Sequence, residues 1–560
     1  MAIALKKTAA IAIAAGLTFA GSAGIAAQDA MAQTMNDEPA VATDVLDAGT
    51  IGDAPAKLTI HKMVNPTELR NATGETDQGA SGKPLPGVKF TAQKIKGDIT
   101  QQSVFNQIAK FANDRDVAGA TALGLEGQEY TGTTNAKGQI AWENMPVGAY
   151  LVKETSAPEV KSPATETYVT AKPFIVFLPM TTPKGDGWNR DVHVYPKNSM
   201  AKVSKTVVDQ DKNTKSDAAQ GEQGKPGFLG ARPADNAVVE YTLDGVVPAA
   251  PEGRELKNIT LTDASNKAEL QWDENFIVSV ERVRGADTTP ITKYTPTGIQ
   301  KLDPNLNNSN IAAGANQTFS VTVNPKEADL QPGDIVRVTV KATMLKDDTT
   351  SKGIENSVNQ TFIFHNPKTK TDDEPKQTPH DKVVTYVGDI SVYKRGEVDG
   401  KDNQPLAGAE FQIGKCNANK DDLDGGAIQT GITNADGNLT FPGLHVTDWV
   451  NNAAPTETVA NYCIKETKAP KGYETPKGKA AVREIVLTKE TTNKLNAGKT
   501  AFEAVAGSNE IANGAVVDNL KKTTPTLPAT GGMGILIVAL AGLAIIGGGV
   551  YAARRNSRTA

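Results

Sequence analysis

From Val336 the stretch Val336-Arg337-Val338-Thr339-Val340-Lys341 alternates branched apolar and polar side chains. Successive side chains of an extended chain point to opposite faces, so this pattern describes a strand with one buried face and one wet face. The same rhythm recurs in Lys57-Leu-Thr-Ile-His-Lys62, Tyr241-Thr-Leu243, Asn258-Ile-Thr-Leu-Thr-Asp263 and Asp389-Ile-Ser-Val-Tyr-Lys394. Gly, Asn, Asp and Pro punctuate the intervals, and 51 Gly with 31 Pro supply many turns. Many short alternating strands between such turns predict an all-β chain of sandwich domains. One stretch departs from the rhythm. Val104, Phe105, Ile108 and Phe111 fall at helical spacing within Gln101–Asn113, which predicts a short helix inserted in the first domain.

The 560 residues correspond to three or four domains. With 39% hydrophobic and 22% charged residues the chain is globular in composition. Aromatics are only 5%, and the net charge is −5. Phosphate binding needs clustered Lys and Arg, so nucleic acid is excluded as a partner. Five His residues argue against a His-rich metal site.

Both ends read as processing signals. Lys6 and Lys7 precede an apolar run from Thr8 to Ala27 and then Ala30-Met31-Ala32, a secretory signal peptide within residues 1–32 with cleavage expected after Ala27 or Ala32. At the other end, Leu527-Pro528-Ala529-Thr530-Gly531 precedes an apolar run from Ile535 to Ala553 and then Arg554, Arg555 and Arg558. That run is long enough for a transmembrane helix, and the arginines would hold its end in the cytoplasm. The order LPxTG, span, basic tail over 527–560 resembles the sorting signal of Gram-positive surface proteins. It implies cleavage between Thr530 and Gly531 by sortase. Residues 33–530 would then carry 54 basic and 63 acidic side chains, a net charge of −9.

A distant internal repeat organises the middle. Thr134-Asn-Ala-Lys-Gly138 leads to Lys153-Glu154-Thr-Ser-Ala-Pro158, and Thr433-Asn-Ala-Asp-Gly437 leads to Tyr462-Cys-Ile-Lys-Glu466-Thr-Lys-Ala-Pro470-Lys-Gly-Tyr473. Both copies resemble the B-type domain of collagen-adhesin-like proteins, and the segment between them resembles the A-type domain. The predicted fold is therefore three tandem immunoglobulin-like β-sandwiches, B-type, A-type and B-type, with a C-terminal transmembrane helix. Their expected bounds are 53–198, 199–366 and 383–521. Residues 33–52 and 521–526 read as flexible tails, and the Pro-, Lys-, Thr- and Asp-rich 367–382 as a linker.

The first domain ends in Trp188-Asn-Arg-Asp-Val192-His-Val194-Tyr195-Pro196-Lys197. Every fixed position of the pilin motif, Trp-x3-Val-x-Val-Tyr-Pro-Lys, is present. With the signal peptide, the E-box around Glu466 and the sorting signal, the chain resembles the sortase-assembled major pilins of Gram-positive bacteria, the fimbrial backbone subunits. The resemblance implies a structural, non-enzymatic role. Sortase would hold Thr530 as a thioester, and the Lys197 amine of the next subunit would release it as an amide. Head-to-tail joining of this kind does not close, so it builds a filament. The implied partners are identical subunits, tip and basal pilins, pilus-specific and housekeeping sortases, peptidoglycan and host or bacterial surface glycans. The implied location is a pilus anchored in the cell wall. The alternative is a monomeric wall-anchored adhesin for a host protein or glycan. No Ser/His/Asp, Cys/His or metal constellation of an enzyme is visible.

The resemblance also implies internal Lys–Asn isopeptide bonds, each assisted by a buried acid. In the last domain Lys394 alternates with Ile390 and Val392, and Asn519 shares a face with Val517. That pattern proposes a Lys394–Asn519 bond with Glu466 as catalytic acid. In the middle domain the pattern proposes Lys205, Asp263 and Asn356, with Lys202, Asp244 and Asn359 as competitors. No bond is expected in the first domain, which has Lys62 and Glu154 but ends on the pilin motif itself. Cys416 and Cys463, the only cysteines of a secreted chain and both in the last domain, are expected to pair. No cofactor is expected. Asp209-Gln-Asp211-Lys-Asn213 and Lys420-Asp-Asp-Leu-Asp424-Gly raise Ca2+ as a candidate, but the first lacks the Gly and Glu of an EF-hand loop, the second is equally incomplete, and both read as solvated loops.

Overall fold

A computed structural model of the chain describes residues 46–66, 73–77, 79–80, 82–158, 165–251, 253–345, 353–490 and 513–522. The signal peptide, the sorting motif with Thr530 and the apolar run after it lie outside them. The described chain is built almost wholly of strands, in three successive pairs of sheets, each enclosing its own apolar core.

In the first pair, Ala56–His61 sits between Gln139–Met145 and Asp191–Val194. Facing it, Leu125–Thr133, Lys89–Ile95, Gly148–Ser156 and Phe174–Leu178 form an antiparallel sheet. Leu58, Ile60, Val192 and Val194 point inward against Phe90, Ala92 and Val176. The inserted helix is present as Gln102–Asp114, one residue later than expected, and its Phe105 and Ile108 reach the core. A shorter helix, Val117–Ala122, follows. The N-terminal stretch is not all tail. Ala48–Thr50 forms a helical turn whose Ala48, with Ile51, is buried in the same core.

The opening stretch lies in the strand Ile335–Met344, at the centre of the second domain. Its Val336, Val338 and Val340 are all buried, each contributing about 1.5–3 kcal/mol by leaving water. On the wet face, Arg337 grips Asp244 with two nitrogens, at 2.8 and 2.7 Å. The opposing sheet centres on Glu255–Ser265, flanked by Gln317–Val323 and Ile354–Asn366.

The third domain pairs Val387–Val398 with Asn438–His445 and, in parallel, with Gly514–Asn519. Its second sheet runs Leu423–Ile432, Glu410–Cys416, Tyr462–Lys468, Val482–Ile485.

Two domain borders differ from the sequence expectation. The strand Lys197–Val208 crosses the first one unbroken, pairing with Met63–Val64, then Glu166–Val169, then Val238–Val246. The stretch 367–382 is no linker. Thr371–Asp372, Lys376–Gln377 and Asp381–Thr385 return along Ile354–Asn366 and pair with it. Main-chain hydrogen bonds need no apolar periodicity, so polar edge segments of two to five residues carry no alternating signal.

The segment after Val208 binds the second domain to the third. Asp209 is buried and accepts from the Thr385 hydroxyl and the Asn451 amide, both at 2.6 Å. The Arg232 guanidinium reaches Gln429 and the carbonyls of Pro442 and Thr214. Leu229 joins the core of the third domain, and its neighbour Phe228 pairs with Ile432. The run Asp209–Asn213, weighed above for Ca2+, thus faces the third domain.

Candidate cross-linking and polymerisation sites

The pilin motif performs a change of partner. Trp188–Asn189 pairs with Met180–Thr181, and the Trp188 indole bonds Thr50. Val192 and Val194 fill the core while Asp191–Val194 runs parallel to the first strand. Tyr195 stacks on His61 and accepts the Asp77 amide. Pro196 has no N–H to extend the ladder. Its carbonyl takes the Met63 amide instead, and Lys197 opens the long strand beside Met63. Lys197 is 8% exposed, at the junction of two domains.

Immediately after it, Asn198 enters a buried trio that the sequence reading did not propose. Lys62 Nζ lies 2.5 Å from Asn198 Oδ1 and 2.7 Å from Glu154 Oε2. Asn198 Nδ2 donates to Glu154 Oε1 at 2.6 Å. The Ala171 amide donates to Asn198 Oδ1 at 2.9 Å, polarising the carbonyl that an amine would attack. Burial pulls Lys62 down from 10.5 to about 8, against the pull of Glu154 in the other direction.

The third domain repeats the arrangement. Asn519 Nδ2 donates to Glu466 Oε1 at 2.7 Å, Lys394 Nζ lies 3.7 Å from Glu466 Oε2, and it also donates to the Val517 carbonyl. Burial lowers Lys394 to about 8 and raises Glu466. The internal repeat explains the correspondence. The Asn-x-x-Gly turns place Gly138 and Gly437 at positive φ, and a Cβ there would strike the carbonyl of Lys62 or of Lys394 at 2.6 or 2.4 Å. Each turn carbonyl takes the amide of that same lysine. Glu154 and Glu466 hold matching positions opposite Phe90 and Phe411. That equivalence was the available signal for Asn198.

In the second domain Lys205 Nζ lies 2.5 Å from Asp263 Oδ2, with both side chains buried. Desolvation lowers Lys205 and raises Asp263. Asn356 is fully buried two residues along the strand from Val358, which pairs with Asp263. Its amide nitrogen and oxygen, like Asp263 Oδ1, are buried without a hydrogen-bond partner among the described residues. The competitors are engaged elsewhere: Lys202 with Glu166, Asp244 with Arg337, Asn359 with Gln377.

The three trios share one chemistry. In each, an amine lowered by burial lies with a carboxyl and a carboxamide out of water, and burial raises the carboxyls of Asp263 and Glu466. Such a group can expel ammonia and close an amide between Lys and Asn. Cys416 and Cys463 form a disulfide that joins the strand carrying Glu466 to its neighbour. Closing this loop contributes about 3–4 kcal/mol in the chain-entropy model. Among the described residues no group of three or more His, Cys, Asp or Glu is placed to hold a metal.

Comparison with known proteins agrees with this geometry. Residues 53–199 match the Gram-positive pilin subunit D1, N-terminal domain, and residues 388–500 match a prealbumin-like fold domain. The chain is 28% identical to a type 1 fimbrial subunit of Actinomyces viscosus over 543 residues, covering 90% of this chain and 91% of that one. It is 29% identical to a type 2 fimbrial subunit of Actinomyces naeslundii, with the same coverage. The full-length major pilin SpaD of Corynebacterium diphtheriae superimposes with a TM-score of 0.55 at 26% identity, covering 84% of this chain and 98% of that one. The chain is a tandem-domain β protein of the pilin class. More particularly, the matched domains, the fimbrial relatives and the SpaD superposition support a structural subunit of a Gram-positive surface pilus.

Proposed function

We propose that the chain is the major shaft subunit of a covalent pilus, with Thr530 of one subunit joined by sortase to Lys197 of the next. In this reading it is a sortase substrate and not an enzyme. The secreted chain is retained at the wall through the same sorting signal. Each domain closes its own cross-link: Lys62–Asn198 assisted by Glu154, Lys205–Asn356 by Asp263, and Lys394–Asn519 by Glu466. In each, the lysine nitrogen attacks the Asn carbonyl carbon, the acid passes protons between them, and one ammonia leaves. The observation that carries the reading is a buried Lys–acid–Asn set in every domain, the first adjoining Lys197 of a complete pilin motif.

Wall extracts boiled in SDS should give a high-mass ladder that collapses to a single band in Lys197→Ala. A single band in both strains would sink the proposal. Intact mass of residues 33–530 should fall short of the sequence mass by one ammonia per cross-link and two hydrogens for the disulfide.

A further inference from the structure

Composition argued against a His-rich metal site, yet the topology brings two of the five histidines into contact on the pilin motif. His61 ends the first strand, and His193 lies in Asp191–Val194, which runs parallel beside it. His61 Nε2 and His193 Nδ1 are 2.8 Å apart. The outer nitrogens are held too. Gln139 Nε2 lies 3.2 Å from His61 Nδ1, and Asp191 Oδ1 lies 3.4 Å from His193 Nε2. Tyr195 stacks flat on His61, 4.4 Å between ring centres. The His193 side chain keeps 15% of its surface in solvent, so the pair is reachable.

One arrangement of protons satisfies all of these contacts. Gln139 donates to His61 Nδ1, His61 Nε2–H donates to His193 Nδ1, and His193 Nε2–H donates to the Asp191 carboxylate. Both rings are then neutral, the form that binds metals. The two inner nitrogens face each other across 2.8 Å. A carboxylate and an amide orient the rings from outside, as the outer partners of metal-bound histidines do.

We propose that His61 and His193 form a two-imidazole site for a borderline divalent cation, Zn2+, Ni2+ or Cu2+. Imidazole nitrogens suit these ions and not Ca2+ or Mg2+. Metal–nitrogen bonds of about 2.0–2.1 Å in tetrahedral geometry require the nitrogens to separate by about half an ångström. The proton of His61 Nε2 moves to Nδ1 of the same ring, where it meets the Gln139 carbonyl once that amide turns. No proton is released, no bond within the chain breaks, and solvent completes the coordination. The ion ties the pilin-motif strand to the first strand, one residue before Lys62 and four before Lys197. The site does not depend on which lysine polymerises.

The test uses residues 33–530 without an affinity tag. Electron paramagnetic resonance of bound Cu2+ should show two equivalent imidazole nitrogens. Zn2+ should raise the melting temperature of the first domain. Both effects should vanish in His61→Gln and in His193→Gln and persist in His365→Gln. A spectrum with one nitrogen or none in the unsubstituted chain overturns the proposal without appeal to any variant. So does a Zn2+ effect that survives His61→Gln and His193→Gln, or one lost in His365→Gln.

Discussion

A buried lysine beside an acid is ordinarily a cost, because desolvation of the two charges competes with their attraction. At Lys62 the proposed cross-link would give that balance a chemical use. Lowering the amine from 10.5 to about 8 makes the neutral form about 300-fold more abundant near pH 7. The same holds at Lys394. Removing only the acid therefore separates proton transfer from packing. Glu466→Ala should leave the third domain, by mass spectrometry, one ammonia heavier than a cross-linked chain of the same sequence, while the Cys416–Cys463 disulfide still forms. A mass below that of the parent chain by the Glu-to-Ala difference alone would show that Glu466 plays no part. The pH dependence has a definite sign. In an Asn198→Ser chain Lys62 stays an amine, with its folded value below its unfolded one. The unfolded state then binds more protons between about pH 8 and 10.5, so first-domain stability should rise with pH across that window. Urea midpoints measured from pH 7 to 11 would detect it. The cross-linked parent should show no such rise from Lys62, since an amide nitrogen does not titrate, and a flat profile in the variant would refute the assignment.

At the scale of elements, the segment from Asp209 to Arg232 belongs by sequence to the second domain and by packing to the third. Arg232→Met keeps much of the side-chain volume but strands the buried acceptors at Gln429, Pro442 and Thr214. Unsatisfied buried acceptors cost about 1–3 kcal/mol each, so a loss of about 3 kcal/mol is expected. It should appear as a lower melting temperature of the third domain with the first unchanged. None of this was legible in the sequence, because Gly221 to Gly230 alternates nothing and its partners in the third domain are more than a hundred and ninety residues away. What was legible had local periodicity. Val336 to Lys341 announced its buried face, Phe105 and Ile108 their helix, and Val517 with Asn519 their common side. What escaped lacked it: the polar edge strands between Thr371 and Thr385, and the turn around Ala48. Asn198 escaped for another reason. Its place at the end of a recognised motif hid its equivalence to Asn519, which only the shared geometry of the two Asn-x-x-Gly turns exposes.

For the whole molecule, the proposed linkages define a path for tension. Force enters through the Lys197 side chain and leaves through Thr530, so the first domain before Lys197 lies off the covalent path, and its Lys62–Asn198 bond bears no pull. The second and third domains lie on it. A Lys205–Asn356 bond bypasses the chain between those residues, and a Lys394–Asn519 bond does the same in the third domain. Only about 60 residues from 197 to 530 then remain extensible, roughly 200 Å at about 3.5 Å per residue. The bonds join each domain's early strand to a late one, Lys394 lying beside Val517 in parallel register, so tension is carried before any core strand is peeled. Pulling single molecules between Lys197 and Thr530 should give no unfolding steps in the parent. Glu466→Ala should add one step of about 270 Å, the chain between Lys394 and Asn519 less the loop closed by the Cys416–Cys463 disulfide, and Asp263→Ala a longer one. Glu154→Ala should add none. A step of domain length in the parent, or one created by Glu154→Ala, would contradict this path.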